Sequence, residues 1–92
     1  MGIKSCKHKG LNELYIDGET TRIGVRYVKN AKFIVDLLGR IKGLGDCETI
    51  KNFHELKGKR KGTYSMHVTG NYCITFKWDG EDAFDLDFED YH

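Results

Sequence analysis

The last three residues of the sequence carry a carboxylate, a phenol ring and an imidazole where most chains end without reactive groups. They are Asp90, Tyr91 and His92, and further upstream His54 and Lys57 add a second imidazole and a cation. A histidine has a reference pKa of about 6.5, so it can take or give a proton near neutral pH. Together these groups could cleave RNA without a metal. A base would take the 2′-OH proton, an acid would protonate the leaving 5′ oxygen, and lysine would offset charge on the phosphorane.

A basic segment with interspersed glycines, residues 54–62 (HELKGKRKG), surrounds His54 and Lys57. Glycines let a backbone approach a ligand closely, and Lys and Arg neutralise phosphate charge. The other cations that could contact a polyanion are Lys59, Arg60 and Lys61 in this segment and Lys4, Lys7 and Lys9 near the N-terminus. The alternative is a solvated connector, which is the commoner role of a Lys/Gly loop. A net charge of +1 weakens the case for a generic RNA-binding module.

Length and composition indicate one compact domain, residues 1–92, with one hydrophobic core. Hydrophobic residues make up 39% and aromatic residues 12% of a chain without proline, which is atypical of disorder. No apolar run approaches the roughly 18 residues that cross a bilayer, so we expect a cytoplasmic protein. The three cysteines, Cys6, Cys47 and Cys73, form no CxxC pair and are expected to be free thiols. No cofactor or metal is expected.

Helical spacing dominates the first half of the sequence. A short helix is predicted around residues 11–15, and Gly18 would end it. A second helix is predicted over residues 23–43, with Thr20 or Thr21 as its N-cap. The apolar positions are Leu11, Leu14 and Tyr15 in the first helix and Tyr27, Ala31, Ile34, Leu37, Leu38 and Ile41 in the second.

The second half alternates apolar and polar residues with the period of β-strands. Runs at residues 63–68, 72–78 and 84–89 are joined by glycine-containing turns, which predicts an antiparallel meander. Two further short strands are expected at residues 2–6 and 48–53. In the last run, the apolar face is predicted to carry Phe84, Leu86 and Phe88. The polar face is expected to stay open and carries Ser65, His67, Cys73, Thr75, Lys77, Asp85 and Asp87.

Helices followed by strands predict an α+β domain of two layers, with the N-terminal helices packed on one face of a small, mainly antiparallel sheet. In so small a meander, the entry to the first long strand and the exit of the last can lie near one another. Residues 54–61 are therefore expected to approach residues 90–92. The last strand is acidic on the open face, and its carboxylates would either pair with Lys77 or Arg60 or contact a protein partner.

Five segments combine into a specific pattern: residues 3–11 (IKSCKHKGL), 54–62 (HELKGKRKG), 64–68 (YSMHV), 71–76 (NYCITF) and 90–92 (DYH). This pattern resembles the HigB toxins, a branch of the RelE/ParE superfamily, over nearly the whole chain and most loosely in its helical middle. The resemblance implies a RelE-like microbial RNase fold. It also implies the toxin of a bacterial type II toxin–antitoxin pair, which cleaves messenger RNA in the ribosomal A site.

The resemblance further implies residue roles and partners. His54, Lys57, Asp90, Tyr91 and His92 match the catalytic set of the family. Lys4, Lys7, Lys9, Lys59, Arg60 and Lys61 would contact RNA on the 70S ribosome, including the small-subunit ribosomal RNA. The implied protein partner is a HigA-like antitoxin with a helix-turn-helix domain. Operator DNA would be bound only through that antitoxin, in a complex that represses its own operon.

One position departs from the family pattern. Many members carry an arginine on the open face where this sequence has Cys73. A thiol cannot brace a phosphate, so the departure predicts a slow enzyme or one that uses Lys57 with Arg60 or Lys77 instead. The rival hypothesis is a ParE-like or catalytically silent member that acts by binding a protein, or only within the repressor complex.

Overall fold

The structure is a computed structural model that describes residues 2–90. Two α-helices come first, α1 at Lys9–Asp17 and α2 at Val25–Leu38. Four strands follow, β1 at His54–Glu55, β2 at Thr63–His67, β3 at Tyr72–Trp78 and β4 at Ala83–Asp90, with short 3-10 helices at Leu44–Cys47 and Gly58–Arg60. This order confirms the predicted α+β class. Neither helix in the described part of the chain is long and apolar enough to span a membrane.

The strands form one antiparallel sheet in the order β1-β2-β3-β4. The chain before α1 runs parallel to the outer edge of β4, with bridges from Ile3 to Ala83 and from Cys6 to Leu86. The strand expected at residues 2–6 is thus reduced to two isolated bridges. The sheet is mainly antiparallel, as predicted.

The helices cover one face of the sheet, and the core lies between the two layers. α1 ends at Gly18, whose φ of 80° lets its N–H donate to the carbonyl oxygens of Glu13 and Leu14. Burying a large apolar side chain contributes about 1.5–3 kcal/mol, so this interface supplies most of the folding energy. Its fully buried members include Leu11, Leu14, Ile34, Leu38, Met66, Ile74, Phe76 and Leu86.

α2 is shorter than the residues 23–43 predicted for it, and neither Thr20 nor Thr21 caps it. The hydroxyl of Thr20 instead donates to the carboxylate of Glu13 in α1. Ile41 remains buried, but from a turn that follows the helix. The spacing of apolar residues overestimated the length of the helix, because a turn after the helix can bury a residue at the same spacing.

The prediction of a strand at residues 48–53 is wrong, because the chain makes turns there. Lys51 and Asn52 have positive φ angles of 52° and 56°. Strands need φ near −120° to −140°, so two consecutive left-handed residues exclude one. Ile50 and Phe53 still pack against the core, which explains why they looked like strand residues in the sequence.

A β-bulge in β4 reverses the predicted alternation at one aromatic residue. Lys77 pairs with Phe84 but Thr75 pairs with Asp87, so β4 has one residue more than β3 in this interval. Asp85 in the bulge has φ 54°, a left-handed conformation that costs a non-glycine residue on the order of 1 kcal/mol. Phe84 therefore lies on the face of Lys77 and not on the predicted core face.

Candidate active site

The face of the sheet turned away from the helices carries two adjoining clefts. The inner cleft, of about 260 Å³, is lined by Leu56, Lys57, Arg60, Ser65, Cys73, Thr75, Glu89 and Asp90. The outer cleft, of about 270 Å³, is lined by Lys7, Lys59, Arg60, Thr63, Thr75, Lys77, Asp85, Asp87 and Glu89. Arg60, Thr75 and Glu89 border both clefts, so they form the wall between them.

The connection between β1 and β2 folds back along the sheet and forms one side of both clefts. Leu56 N–H donates to the carbonyl of Thr63 at 2.8 Å, and Gly62 N–H donates to the carboxylate of Glu55 at 2.8 Å. Gly58 and Gly62 have φ angles of 70° and 93°, which glycine adopts without strain. These turns bring the basic segment of the sequence to the clefts.

Arg60 and Glu89 form a two-pronged ion pair in the wall, with Nη1–Oε1 at 2.8 Å and Nη2–Oε2 at 2.6 Å. Glu89 also accepts a hydrogen bond from the hydroxyl of Thr75. The hydrogen bond from Arg60 lowers the pKa of Glu89, and the hydrogen bond from Thr75 lowers it to a smaller extent. The Glu89 carboxylate in turn raises the pKa of Arg60. The stabilisation from Glu89 is therefore present above the ordinary glutamate pKa and is lost as pH falls through the lowered value. Because both groups are partly exposed, the pair contributes at most about 1 kcal/mol.

The centre of the polar face is covered, which corrects the prediction that this face stays open. Ser65, Cys73 and Thr75 are only 0%, 4% and 3% exposed. Among residues 2–90, the buried Oγ of Ser65 meets no nitrogen or oxygen partner. Burial raises the pKa of the Cys73 thiol, and the Ser65 hydroxyl beside it lowers that pKa to a smaller extent. The thiol is therefore neutral near pH 7, and the cleft floor is lined by uncharged hydroxyl and thiol groups.

His54 lies at the outer edge of the sheet with its ring on the cleft side, since its cross-strand partner is Ser65. Its Nδ1 is 2.8 Å from the carbonyl oxygen of Asn52. A carbonyl only accepts hydrogen bonds, so Nδ1 carries the hydrogen and Nε2 is the unprotonated nitrogen of the neutral ring. The exposed imidazole is thus oriented with a proton-accepting nitrogen away from the backbone.

The structure brings some of the predicted catalytic residues together and separates others. Lys57 and Asp90 line the inner cleft together, as the expected approach of the two segments requires. His54 is on β1, three strand spacings or about 14 Å from β4. The register places it in line with Asp87, three residues before Asp90, and His54 is not among the residues that line the inner cleft. Tyr91 and His92 lie outside the described residues.

The residues predicted to contact RNA are divided among several positions. Lys7, Lys59 and Arg60 line the outer cleft, and Lys61 lines a shallow groove beside Lys57. Lys4 is ion-paired with Asp79, and Lys9 is an exposed residue at the start of α1. Two basic segments that are far apart in the sequence therefore meet at one cleft.

Ser65 and Thr75 are site residues that sequence reasoning missed, and Glu89 was foreseen only as a partner of Lys77 or Arg60. The pairing of Glu89 with Arg60 is found in the structure. Alternation along the strands already places both hydroxyls on the polar face. Nothing in that alternation indicates that the basic segment folds back over them.

The architecture is shared with a solved protein of known fold. A solved YoeB/ParE toxin from Agrobacterium tumefaciens superimposes with a TM-score of 0.57, and the match covers 97% of this chain and 99% of that one. The two sequences are 13% identical, so this likeness concerns the fold alone. It confirms the predicted RelE-like arrangement of helices on a small antiparallel sheet.

The chain belongs to the HigB-like toxin family. The family profile, described as the RelE-like toxin of the type II toxin–antitoxin system HigB, matches residues 4–92. The protein named Endoribonuclease HigB from Proteus vulgaris is 36% identical over 91 residues, which cover 98% of this chain and 99% of that protein. These matches confirm the family resemblance inferred from the sequence.

Proposed function

We propose that this protein cleaves messenger RNA in the A site of the translating ribosome and thereby arrests translation. In broader terms it is an endoribonuclease toxin of a type II toxin–antitoxin system, because it belongs to the HigB-like family and matches a named endoribonuclease over nearly its full length. The observation that supports the finer proposal best is the meeting of two basic segments at the outer cleft, next to the inner cleft that holds Lys57 and Asp90.

The proposed mechanism places a base and an acid on opposite sides of the reacting phosphorus. In attack by a 2′-OH, the attacking and leaving oxygens lie roughly in line through phosphorus, so the base and the acid must stand on opposite sides. Asp90 lines the inner cleft from β4, and His54 lies on the same face of the sheet, on β1 at its opposite edge. The lateral separation of the two strands, about 14 Å, leaves room for side chains and a phosphorane between them.

We assign the proton transfers accordingly. Nε2 of His54 takes the 2′-OH proton, and His92 gives its proton to the leaving 5′ oxygen, which leaves a 2′,3′-cyclic phosphate on the upstream fragment. A carboxylate close to His92 would favour the imidazolium form needed in a donor, and Asp90 is two residues away in the sequence. Lys57 offsets the charge of the phosphorane, and Tyr91 stacks on a base or holds a phosphate oxygen.

Arg60 lies close to Cys73, the position where many members of the family carry an arginine. It lines the inner cleft with Cys73, and its charge acts on that thiol. Its guanidinium is already bound by Glu89, however, so a substrate phosphate has to compete with a carboxylate for it. This arrangement predicts a weaker phosphate contact than an unpaired arginine would make.

Replacing Glu89 by Gln should therefore strengthen RNA binding. Gln keeps the size of the side chain and a hydrogen bond to Thr75 but removes the charge that holds Arg60. We expect the affinity for a 2′-O-methyl RNA to rise roughly threefold to tenfold and to depend more steeply on salt, because one more cation contacts phosphate. Equilibrium titrations at several salt concentrations measure both effects.

Asp87→Asn is the matched control, because it removes a carboxylate from the same cleft that makes no bond to Arg60. It should raise the affinity less than Glu89→Gln does. Equal gains from the two variants would indicate general charge repulsion, and a loss with Glu89→Gln would indicate that the carboxylate positions Arg60 for substrate.

A type II toxin has a cognate antitoxin, and we propose a HigA-like protein with a helix-turn-helix domain. The complex would repress its own operon, with operator DNA bound only through the antitoxin. On the 70S ribosome in the cytoplasm, Lys4, Lys7, Lys9, Lys59, Arg60 and Lys61 would contact RNA. Residues 1–92 would act as one domain.

Primer extension on messenger RNA from induced cells tests the proposed function. We expect cuts within codons in the reading frame, which disappear when initiation is blocked or the start codon is removed. Cuts that persist in untranslated RNA would contradict action in the A site. Growth arrest without any cut would favour the ParE-like alternative, in which the chain acts by binding a protein.

A further inference from the structure

We propose that Phe84 is a stacking platform for an unpaired RNA base at the edge of the outer cleft. The inference rests on the proposed action on RNA and adds to it a subsite that contacts a base.

The hydrophobic core does not account for the position of Phe84. The other aromatic side chains of β2, β3 and β4 within residues 2–90 are part of the core or pack against it, namely Tyr64, Tyr72, Phe76, Trp78 and Phe88. Phe84 is partly exposed and does not belong to this set. Regular alternation would have placed the ring on the core side, so a specific feature of β4 directs it to the other face.

That feature is the bulge at Asp85, which is held by Ser5. The N–H of Asp85 donates to Ser5 Oγ at 2.9 Å, and that hydroxyl donates to the Asp85 carboxylate at 3.2 Å. The N–H of Leu86 donates to the Ser5 carbonyl at 3.2 Å. Three hydrogen bonds thus hold the strained, left-handed Asp85 in place. Bulges beside functional sites commonly change the direction of a side chain.

The surroundings of Phe84 suit a nucleotide whose base lies on the ring. Its cross-strand partner Lys77 lines the outer cleft, and Lys4 Nζ is 5.9 Å from the ring centroid. Lys4 is ion-paired with Asp79 and its side chain is 58% exposed, so an incoming base can displace it from the ring. Asp85 lines the cleft next to the ring and repels phosphate, so the uncharged base is the part of the nucleotide that fits there.

The test compares two RNA backbones that the protein cannot cut. A short single-stranded RNA with 2′-O-methyl riboses carries bases, and a strand of the same length and charge is abasic at every position. We expect Phe84→Ala to weaken binding of the first strand roughly fivefold to a hundredfold, the range that loss of one stacked base corresponds to, and to leave binding of the second unchanged. Fluorescence anisotropy titrations give both affinities.

Two further substitutions and one control isolate the stacking surface. Phe84→Trp should retain the affinity, whereas Phe84→Leu should lose it although the side chain keeps its bulk. Phe33→Ala is the matched control, because Phe33 is 43% exposed on α2 and also has a lysine, Lys51, 5.5 Å from its ring centroid. It should not change RNA binding.

Several results would overturn the proposal. The first is that the wild type and Phe84→Ala bind the base-containing strand with equal affinity. The second is that Phe84→Ala loses the same affinity for both strands. The third is that the wild type binds the abasic strand as tightly as the base-containing strand. A Phe84→Ala protein that binds RNA normally but loses affinity for the antitoxin would assign the ring to a protein interface.

Because these strands cannot be cleaved, the measured affinities do not depend on catalysis. A wild type that prefers the base-containing strand but never cleaves natural RNA would refute the proposed function and not the platform.

Discussion

Deletion of His92 is expected to lower the rate of messenger RNA cleavage by roughly a hundredfold or more, with little change in thermal stability. The reason is the loss of the proton donor to the leaving 5′ oxygen, since general acid catalysis contributes on that scale. Single-turnover cleavage on programmed ribosomes measures the rate, and a thermal melt measures the stability.

His92→Gln is the companion variant. It keeps the length of the chain but removes the imidazole, so we expect a loss of rate about as large as on deletion. Equal growth arrest by the wild type and the deletion variant would contradict the role of His92. Unchanged cleavage by His92→Gln would show that the imidazole does not transfer the proton.

Replacement of Lys57 by Met should lower the cleavage rate by roughly a hundredfold to a thousandfold and affect RNA binding far less. Lys57 lines the inner cleft with Asp90, where it would offset charge that develops on the phosphorane. A cation that acts mainly on the transition state changes the rate more than the affinity, and loss of one such contact has an effect of this size. Methionine keeps most of the aliphatic stem of the exposed lysine and removes its charge.

Lys61→Met is the matched control, because Lys61 lies in the same segment and lines the shallow groove beside Lys57. It should reduce binding slightly, in a manner that salt suppresses, and leave the single-turnover rate nearly unchanged. Equal losses of rate in the two variants would mean that Lys57 contributes only to the general positive charge of the segment.

The strands of the fold could be predicted wherever apolar and polar residues alternate in the sequence without a bulge. β2 and β3 meet this condition although both of their faces are largely buried, and so does β4 from Leu86 onward. The bulge at Asp85 could not be predicted, because aspartate adopts the left-handed conformation only occasionally and the Ser5 bonds that hold it come from the other end of the chain. A single added residue was enough to place Phe84 on the opposite face.

The chemical groups of the candidate site could be predicted from the sequence, but most of their arrangement in space could not. The small size of the predicted meander indicated that the segments of Lys57 and Asp90 would approach one another, and the two residues line one cleft. Short-range patterns could not show that Arg60 would be bound by Glu89 above buried hydroxyls, because that contact depends on how the segment folds back over the sheet. The same tertiary arrangement places His54 on the opposite edge strand from Asp90.

The most direct test uses a messenger RNA with a single 2′-deoxy nucleotide at the position that is cut in the A site of programmed 70S ribosomes. Attack by the 2′-OH predicts that the all-ribose messenger is cleaved to a 2′,3′-cyclic phosphate, and that the 2′-deoxy messenger stays intact under the same conditions. Cleavage of both messengers at equal rates, or equally fast cleavage of the all-ribose messenger without ribosomes, would contradict the proposed function.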